Sequence, residues 1–294
     1  MFRFACGFAA AVAVFCAAVP PAAARPQPPL QSPVRAEIVA SPPAPPGSGS
    51  AWLGIRLVMN EGWHVYWTNP GDSGGPPTVK WELPAGLSAG PLQWPLPERI
   101  PFDRMVNFGY HGEVVLPARL SADGGRWPTG PFTVSAQVRW VACRDICVPG
   151  RATLSKDLPG GFAIPAGPES GLLQRAIGQV PVPAPAAWRL SGTSTGDTFT
   201  VALETGRSEP GVTFFPLLPG QVEAAAPVAV KPTSRGASLT LRKSAYLSKP
   251  IASLKGVIVV RGRGYEVEVP LRPAPSPSTP GEGHRQPSTT RSPR

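Results

Sequence analysis

The chain has 294 residues, 41 of them Pro and 32 Gly, and a net charge of +10. Pro and Gly at about a quarter of the residues approach a disordered composition, yet eight Trp and many alternating apolar runs call for packed cores. The positive charge forms no dense Lys/Arg run and is not interleaved with aromatics, which excludes a nucleic-acid module and leaves solubility charge or attraction to an acidic partner or membrane surface.

The N-terminus reads as an export signal. Arg3 precedes an uncharged apolar run from Phe4 to Val19, and Ala22-Ala23-Ala24 offers a small-residue cleavage site before Arg25. An uncleaved N-terminal anchor is the alternative, but the run is short for a span and ends at Pro20-Pro21. Cys6 and Cys16 lie inside this segment and leave with it. The remaining residues, about 270, suit one or two domains in an exported, disulfide-permissive compartment, expected to be the periplasm. Residues 25–50 form a leader rich in Pro, and residues 273–294 a Pro/Ser/Arg tail expected to be disordered.

Strand signals recur between these ends. The first series is Val34–Val39, Ala51–Met59, His64–Thr68, Thr78–Leu83, Glu113–Leu120, Phe132–Ala142 and Val148–Leu158. Leu172, Leu173, Ala176 and Ile177 share one face of a short helix over Glu169–Gln179, stopped by Gly178 and Pro181. The Pro-rich residues 181–187 read as a linker. The second series is Trp188–Ser191, Thr198–Glu204, Val212–Leu217, Ala226–Lys231, Ser238–Arg242, Val257–Val260 and Tyr265–Leu271. The expectation is an all-β chain: two immunoglobulin-like β-sandwich subdomains, over 51–160 (its first strand beginning near 34) and 188–272, joined by a helix and linker at 161–187.

"WVACRDICVP" holds the two cysteines expected in the mature chain, Cys143 and Cys147. Phe132, Val134, Ala136, Val138 and Trp140 alternate with polar residues, which puts Ala142 inward and Cys143 outward. Folding the segment as a hairpin with Arg144-Asp145-Ile146 as its loop pairs Cys143 with Cys147, Ala142 with Val148 and Ala136 with Leu154. Every core residue then meets a core residue. Opposed Cα atoms about 4.5–5.5 Å apart permit a disulfide. Such a bond closes only three intervening residues and restrains little of the unfolded chain, so a redox role outweighs a structural staple. Both sulfurs are expected on a surface loop, with Arg144 favouring a thiolate and Asp145 opposing it. Trp140 and Pro149 complete the neighbourhood. No metal is expected, because the three histidines, His64, His111 and His284, lie far off in sequence. A Cys–His hydrolase fits an oxidisable pair poorly, and no cofactor is expected.

"WVACRDICVPGRATLSKDL", "GWHVYWTNPGDSGGPPTVKWELP" and "GPLQWPLPERIPFDRMVNFGYHGEVVLP" together resemble the N-terminal (alpha) periplasmic domain of the DsbD/ScsB thiol:disulfide interchange reductase family. The resemblance covers roughly 35–160 well and the second half more loosely; the CxxxC spacing is closer to the ScsB-like branch than to DsbD. It implies a protein-disulfide reductase relay module. Reducing equivalents come from a membrane domain and pass to periplasmic thioredoxin-fold proteins, among them disulfide isomerases and cytochrome c maturation factors. It places the catalytic pair on Cys143 and Cys147, with Cys147 attacking. It also implies an aromatic cap loop over the pair, with Phe108 and then Tyr110 as candidates. The sequence shows neither a multi-spanning membrane segment nor a thioredoxin-like CxxC domain, so either a separate membrane electron carrier of the CcdA or DsbD-beta type is the expected partner, or the chain is a truncated or split relative. The competing expectation is a non-enzymatic exported binding or chaperone-like sandwich with a structural disulfide.

Overall fold

The computed structural model describes residues 32–42, 49–165 and 167–273. The expected signal segment with Cys6 and Cys16, much of the Pro-rich leader, and the tail with His284 lie outside the described residues. The first ten strands are β1 (Val34–Ser41), β2 (Ser50–Met59), β3 (His64–Gly71), β4 (Thr78–Glu82), β5 (Leu87–Leu92), β6 (Glu98–Phe102), β7 (Met105–His111), β8 (Glu113–Ala122), β9 (Phe132–Cys143) and β10 (Cys147–Leu158). They form two sheets, one ordered β1-β2-β8-β5 and the other β10-β9-β3-β7-β6, with β4 also pairing to β9. Leu53, Ile55 and Leu57 of β2 and Leu116 and Leu120 of β8 meet Val65 and Trp67 of β3 and Val134, Ala136 and Val138 of β9 in one buried cluster. This is a two-sheet immunoglobulin-like sandwich, as the alternation predicts.

The sequence reading passed over β5, β6 and β7. Pro and Gly interrupt the apolar pattern of Leu87–Leu92 and Glu98–Phe102, so neither shows a clean period of two. Four consecutive residues of β7, Asn107 to Tyr110, are buried, because both faces of this strand are covered, and full burial erases alternation.

The helix α1 runs from Pro168 to Gln179. Pro168 occupies its first turn, where a missing N–H costs nothing, and the Gly167 N–H donates to Ser170 Oγ at 2.9 Å. Leu173 and Ala176 bury against Val39 and Val115 on the outer face of the β1-β2-β8 sheet. Glu169 ties the helix down, accepting the Ala40 N–H at 2.6 Å and pairing with Lys156 at 3.0 Å.

Eight further strands follow: β11 (Val182–Pro183), β12 (Arg189–Thr195), β13 (Thr198–Glu204), β14 (Val212–Pro216), β15 (Ala229–Pro232), β16 (Gly236–Arg242), β17 (Ser253–Val260) and β18 (Arg263–Pro273). Their order is β14-β17-β18-β12-β13-β16-β15, with β11 on β18. The strand β18 pairs with β17 along Arg263–Pro270 and with β12 from Leu271 onward, so it passes from one half of the sheet to the other. Phe199, Val201 and Leu239 from one half and Phe214, Leu254 and Ile258 from the other close a second core.

The two sandwiches share buried contacts. Phe215 of β14 stands edge-on to Phe108 at 5.4 Å and to Trp67 at 6.1 Å, and joins the core cluster of the first sandwich. The buried Asn69 Nδ2 donates to the Pro216 carbonyl at 2.8 Å. Arg99 donates to the Ala224 carbonyl at 2.5 Å and lies over the Phe108 ring. Removing the Phe215 ring leaves a cavity against Phe108 and Trp67, so Phe215→Ala is expected to cost about 3–5 kcal/mol. Urea denaturation followed by Trp fluorescence checks this; a loss under 1 kcal/mol contradicts a shared core.

Candidate redox site

The site is built on the β9–β10 hairpin. Its register runs without a break from Leu158↔Phe132 to Cys147↔Cys143. Even-numbered positions of β9, from Val134 to Ala142, are buried, so strand parity sends Cys143 to the opposite face. The turn Arg144-Asp145-Ile146 closes with the Arg144 N–H donating to the Ile146 carbonyl at 3.1 Å. Cys143 and Cys147 stand opposite, their Cα atoms 4.1 Å apart, and are joined by a disulfide.

The two sulfurs are not equivalent, which corrects the expectation that both lie on a surface loop. Cys147 is exposed, whereas Cys143 is completely buried. The cover comes from β3. His64 pairs with Cys143 across the sheet, so His64 and Tyr66 project on the same side as the sulfur. The Tyr66 hydroxyl donates to Cys143 Sγ at 2.8 Å and lies 3.8 Å from Cys147 Sγ. Burial pushes the Tyr66 phenol above its ordinary value, partly offset by the nearby Ser73 hydroxyl. It therefore stays a neutral donor at physiological pH.

Tyr66 is held in turn by the loop after β3. Gly74 sits on its ring, at φ +81°, and a Cβ there would lie 2.0 Å from Tyr66 Cζ. Only glycine fits both the close approach and the left-handed backbone. Asn107 Oδ1 accepts from the Ser73 N–H at 3.1 Å and the Ser73 hydroxyl at 2.9 Å, and Asp72 accepts the Val106 N–H at 2.9 Å. The strand β7 thus anchors the loop that packs on Tyr66.

Phe108 and Tyr110 are not the cap, and this is a second correction. Tyr110 pairs with Val65, which pairs with Ala142, and all three belong to the core cluster. Phe108 shares their face and packs on Phe215. The Tyr110 hydroxyl is buried, donates to the Pro95 carbonyl at 2.8 Å and is pushed well above its usual range by burial. The sulfur lies on the other side of the sheet, beside His64 and His111. Trp140 likewise faces the core and lies over Gly150, where a Cβ would fall 2.3 Å from Nε1. Pro149 shares the face of Cys147 and is exposed. Arg144 and Asp145 pair with each other at 2.9 Å, and Arg144 lies 5.5 Å over the Trp63 ring. An exposed pair of this kind contributes little to stability, and the two charges largely cancel beside Cys147.

Sequence reasoning missed Tyr66 and His64. The signal was present: "HVYW" alternates between the two faces, and its partner strand ends at the cysteine. His64 is buried, and its Nε2 finds no hydrogen-bond partner among the described residues. Its ring meets Tyr66 edge-on at 5.2 Å and His111 at 5.6 Å. His111 Nδ1 lies 3.1 Å from Glu98. Among the described residues no group of three or more His, Cys, Asp or Glu is placed to hold a metal ion, and no helix is long and apolar enough to cross a membrane.

Residues 31–159 match the family described as "Thiol:disulfide interchange protein DsbD, N-terminal". This segment is similar to the DsbD N-terminal domain. The match supports a thiol:disulfide interchange module over residues 31–159. The fold matches the crystal structure of the N-terminal periplasmic domain of ScsB from Proteus mirabilis with a TM-score of 0.61 and 16% identity, over 83% of this chain and 96% of that one. The chain also aligns with the periplasmic chaperone SfaE (12% identity, 82% of this chain, 99% of that one) and the YadV chaperone (13% identity, 80% and 100%), both at a TM-score of 0.22, too low to carry an argument. No curated protein shows significant sequence similarity to the chain.

The buried imidazole gives the DsbD-type domain an acid sensitivity. Burial, followed by the nearby His111, lowers the His64 pKa from 6.5 to about 4. The unfolded chain protonates His64 as the pH falls below 6.5, while the folded chain resists until about 4. Stability from this group is therefore complete above pH 6.5 and declines by about 3 kcal/mol toward pH 4. Urea titrations at stepped pH are expected to show a flatter decline in His64→Phe than in the wild type. Equal slopes contradict the assignment.

Proposed function

We propose that the chain is a periplasmic protein-disulfide reductase module. It takes reducing equivalents from a membrane electron carrier of the CcdA or DsbD-beta type and passes them to thioredoxin-fold proteins through Cys143 and Cys147. The observation that carries this reading is the asymmetry of the pair: one sulfur is exposed, while its partner is buried and receives a hydrogen bond from Tyr66. A bond that closes three residues adds little as a staple, and an accessible sulfur beside a sheltered one suits exchange.

The exchange then runs in two displacements. In the reduced module the Cys147 thiolate attacks a partner disulfide, forming a mixed disulfide and releasing one partner thiol. The Cys143 sulfur, losing its proton, attacks Cys147 Sγ and expels the second partner sulfur as a thiolate. Two electrons have moved to the partner, and the Cys143–Cys147 bond is restored. Reduction reverses the order. A carrier thiolate attacks the exposed Cys147 Sγ, and Cys143 leaves as a thiolate beside the Tyr66 hydroxyl. Tyr66 would stabilise the departing charge, because a hydrogen bond to an ionised acceptor is about twice as strong as a neutral one.

The asymmetry makes a directional prediction. Cys143→Ala keeps the accessible sulfur and loses the resolving one, so it is expected to accumulate a dithiothreitol-sensitive adduct with a periplasmic thioredoxin-fold protein. Cys147→Ala is expected to trap at least tenfold less. Non-reducing gels and mass spectrometry of the adducts check this, and equal trapping or none contradicts the relay.

A further inference from the structure

His64 is a buried imidazole that the two displacements do not use. It stands directly opposite Cys143 in the β3–β9 ladder, and opposed side chains in such a pair have Cβ atoms about 4.5–5.5 Å apart. It is 2% exposed, and its Nε2 has no partner among the described residues while the cysteines are joined. A buried polar atom left unpaired costs free energy, so the oxidised state carries a penalty at this atom. The disulfide has no hydrogen to offer it. Reduction creates one, on the sulfur of the opposed residue.

We propose that, in the reduced protein, the Cys143 thiol donates its hydrogen to His64 Nε2, and that His64 thereby biases the pair toward the dithiol. The inference rests on the thiol-exchange reading. The balance is complete: a partner dithiol gives two electrons and two protons, the Cys143–Cys147 bond breaks, and a partner disulfide forms. One proton remains on Cys143 and the other on Cys147 or in solvent. Cleavage of the S–S bond also frees the Cys143 side chain to turn toward its cross-strand neighbour. Tyr66 continues to donate to the same sulfur, so the thiol has a donor on one side and an acceptor on the other. The imidazole is suited to accept because burial keeps it neutral at physiological pH. His111, the neighbouring imidazole, is engaged with Glu98. His64 is a positioning residue here: it touches the sulfur only in the reduced state and exchanges no bond.

The test is the equilibrium constant of the full chain with glutathione, measured by thiol alkylation, for the wild type, His64→Phe and His64→Gln. Loss of the acceptor in His64→Phe is expected to shift the equilibrium about tenfold toward the disulfide, equivalent to about 1.4 kcal/mol. The Gln side chain offers a carbonyl acceptor and is expected to restore the constant to within about threefold. A second measurement does not depend on those variants folding. In reduced Cys147→Ser, the S–H infrared band of Cys143 is expected at the lowered, broadened frequency of a hydrogen-bonded thiol. A constant unchanged in His64→Phe, a Gln variant no better than Phe, or a free S–H band overturns the proposal. A wild-type pair that does not equilibrate with glutathione at all instead contradicts the thiol-exchange reading, and the proposal falls with it.

Discussion

Strand register in the β9–β10 hairpin is the constraint on which the site depends. Twelve residues of β9 and twelve of β10 pair in an unbroken ladder, and the buried side chains of Val134, Ala136, Val138 and Ala142 fix which face is inward. A slip of one residue would drive those side chains into solvent. The same parity that secures the core therefore places Cys143 opposite Cys147 and turns both away from it. The disulfide follows from the register and does not create it.

What distinguishes the two sulfurs is the strand alongside. The strand β3 presents Val65 and Trp67 to the core and His64 and Tyr66 to the outer face, and all four are buried. The outer pair is covered because the loop after β3 folds back, with Gly74 against Tyr66 and Ser73 on Asn107. The second sandwich reaches this arrangement from behind. Phe215 and Pro216 contact Trp67, Phe108 and Asn69, which belong to β3 and β7, the strands that carry Tyr66 and anchor its cover. The second half thus buttresses the face that carries the cysteine pair through the core of the first.

Much of this was legible in the sequence, and the remainder was hidden for identifiable reasons. The alternation from Phe132 to Trp140 gave the hairpin and its register, because one face of that strand is wet and period two survives. The helix at Pro168–Gln179 was visible from its apolar stripe and its Pro and Gly boundaries. Burial of Cys143 was not visible, since it depends on a strand some eighty residues earlier and on a glycine that lets a loop lie on a tyrosine ring. Resemblance to a family loop points to Phe108 and Tyr110 as the cap. Counted along β7, their parity with Val65 places them in the core, and only the pairing of β7 with β3 makes that count possible.

The central claim is that the Cys143–Cys147 pair exchanges electrons with partner thiols under physiological conditions. The reduction potential of the wild-type pair tests this most directly, by equilibration with thioredoxin or glutathione buffers and quantification of the trapped thiols. The account predicts a value of about −200 to −270 mV with rapid equilibration, within the range of thioredoxin-like proteins. A value below about −300 mV with slow exchange is that of a structural disulfide, and it would contradict the account.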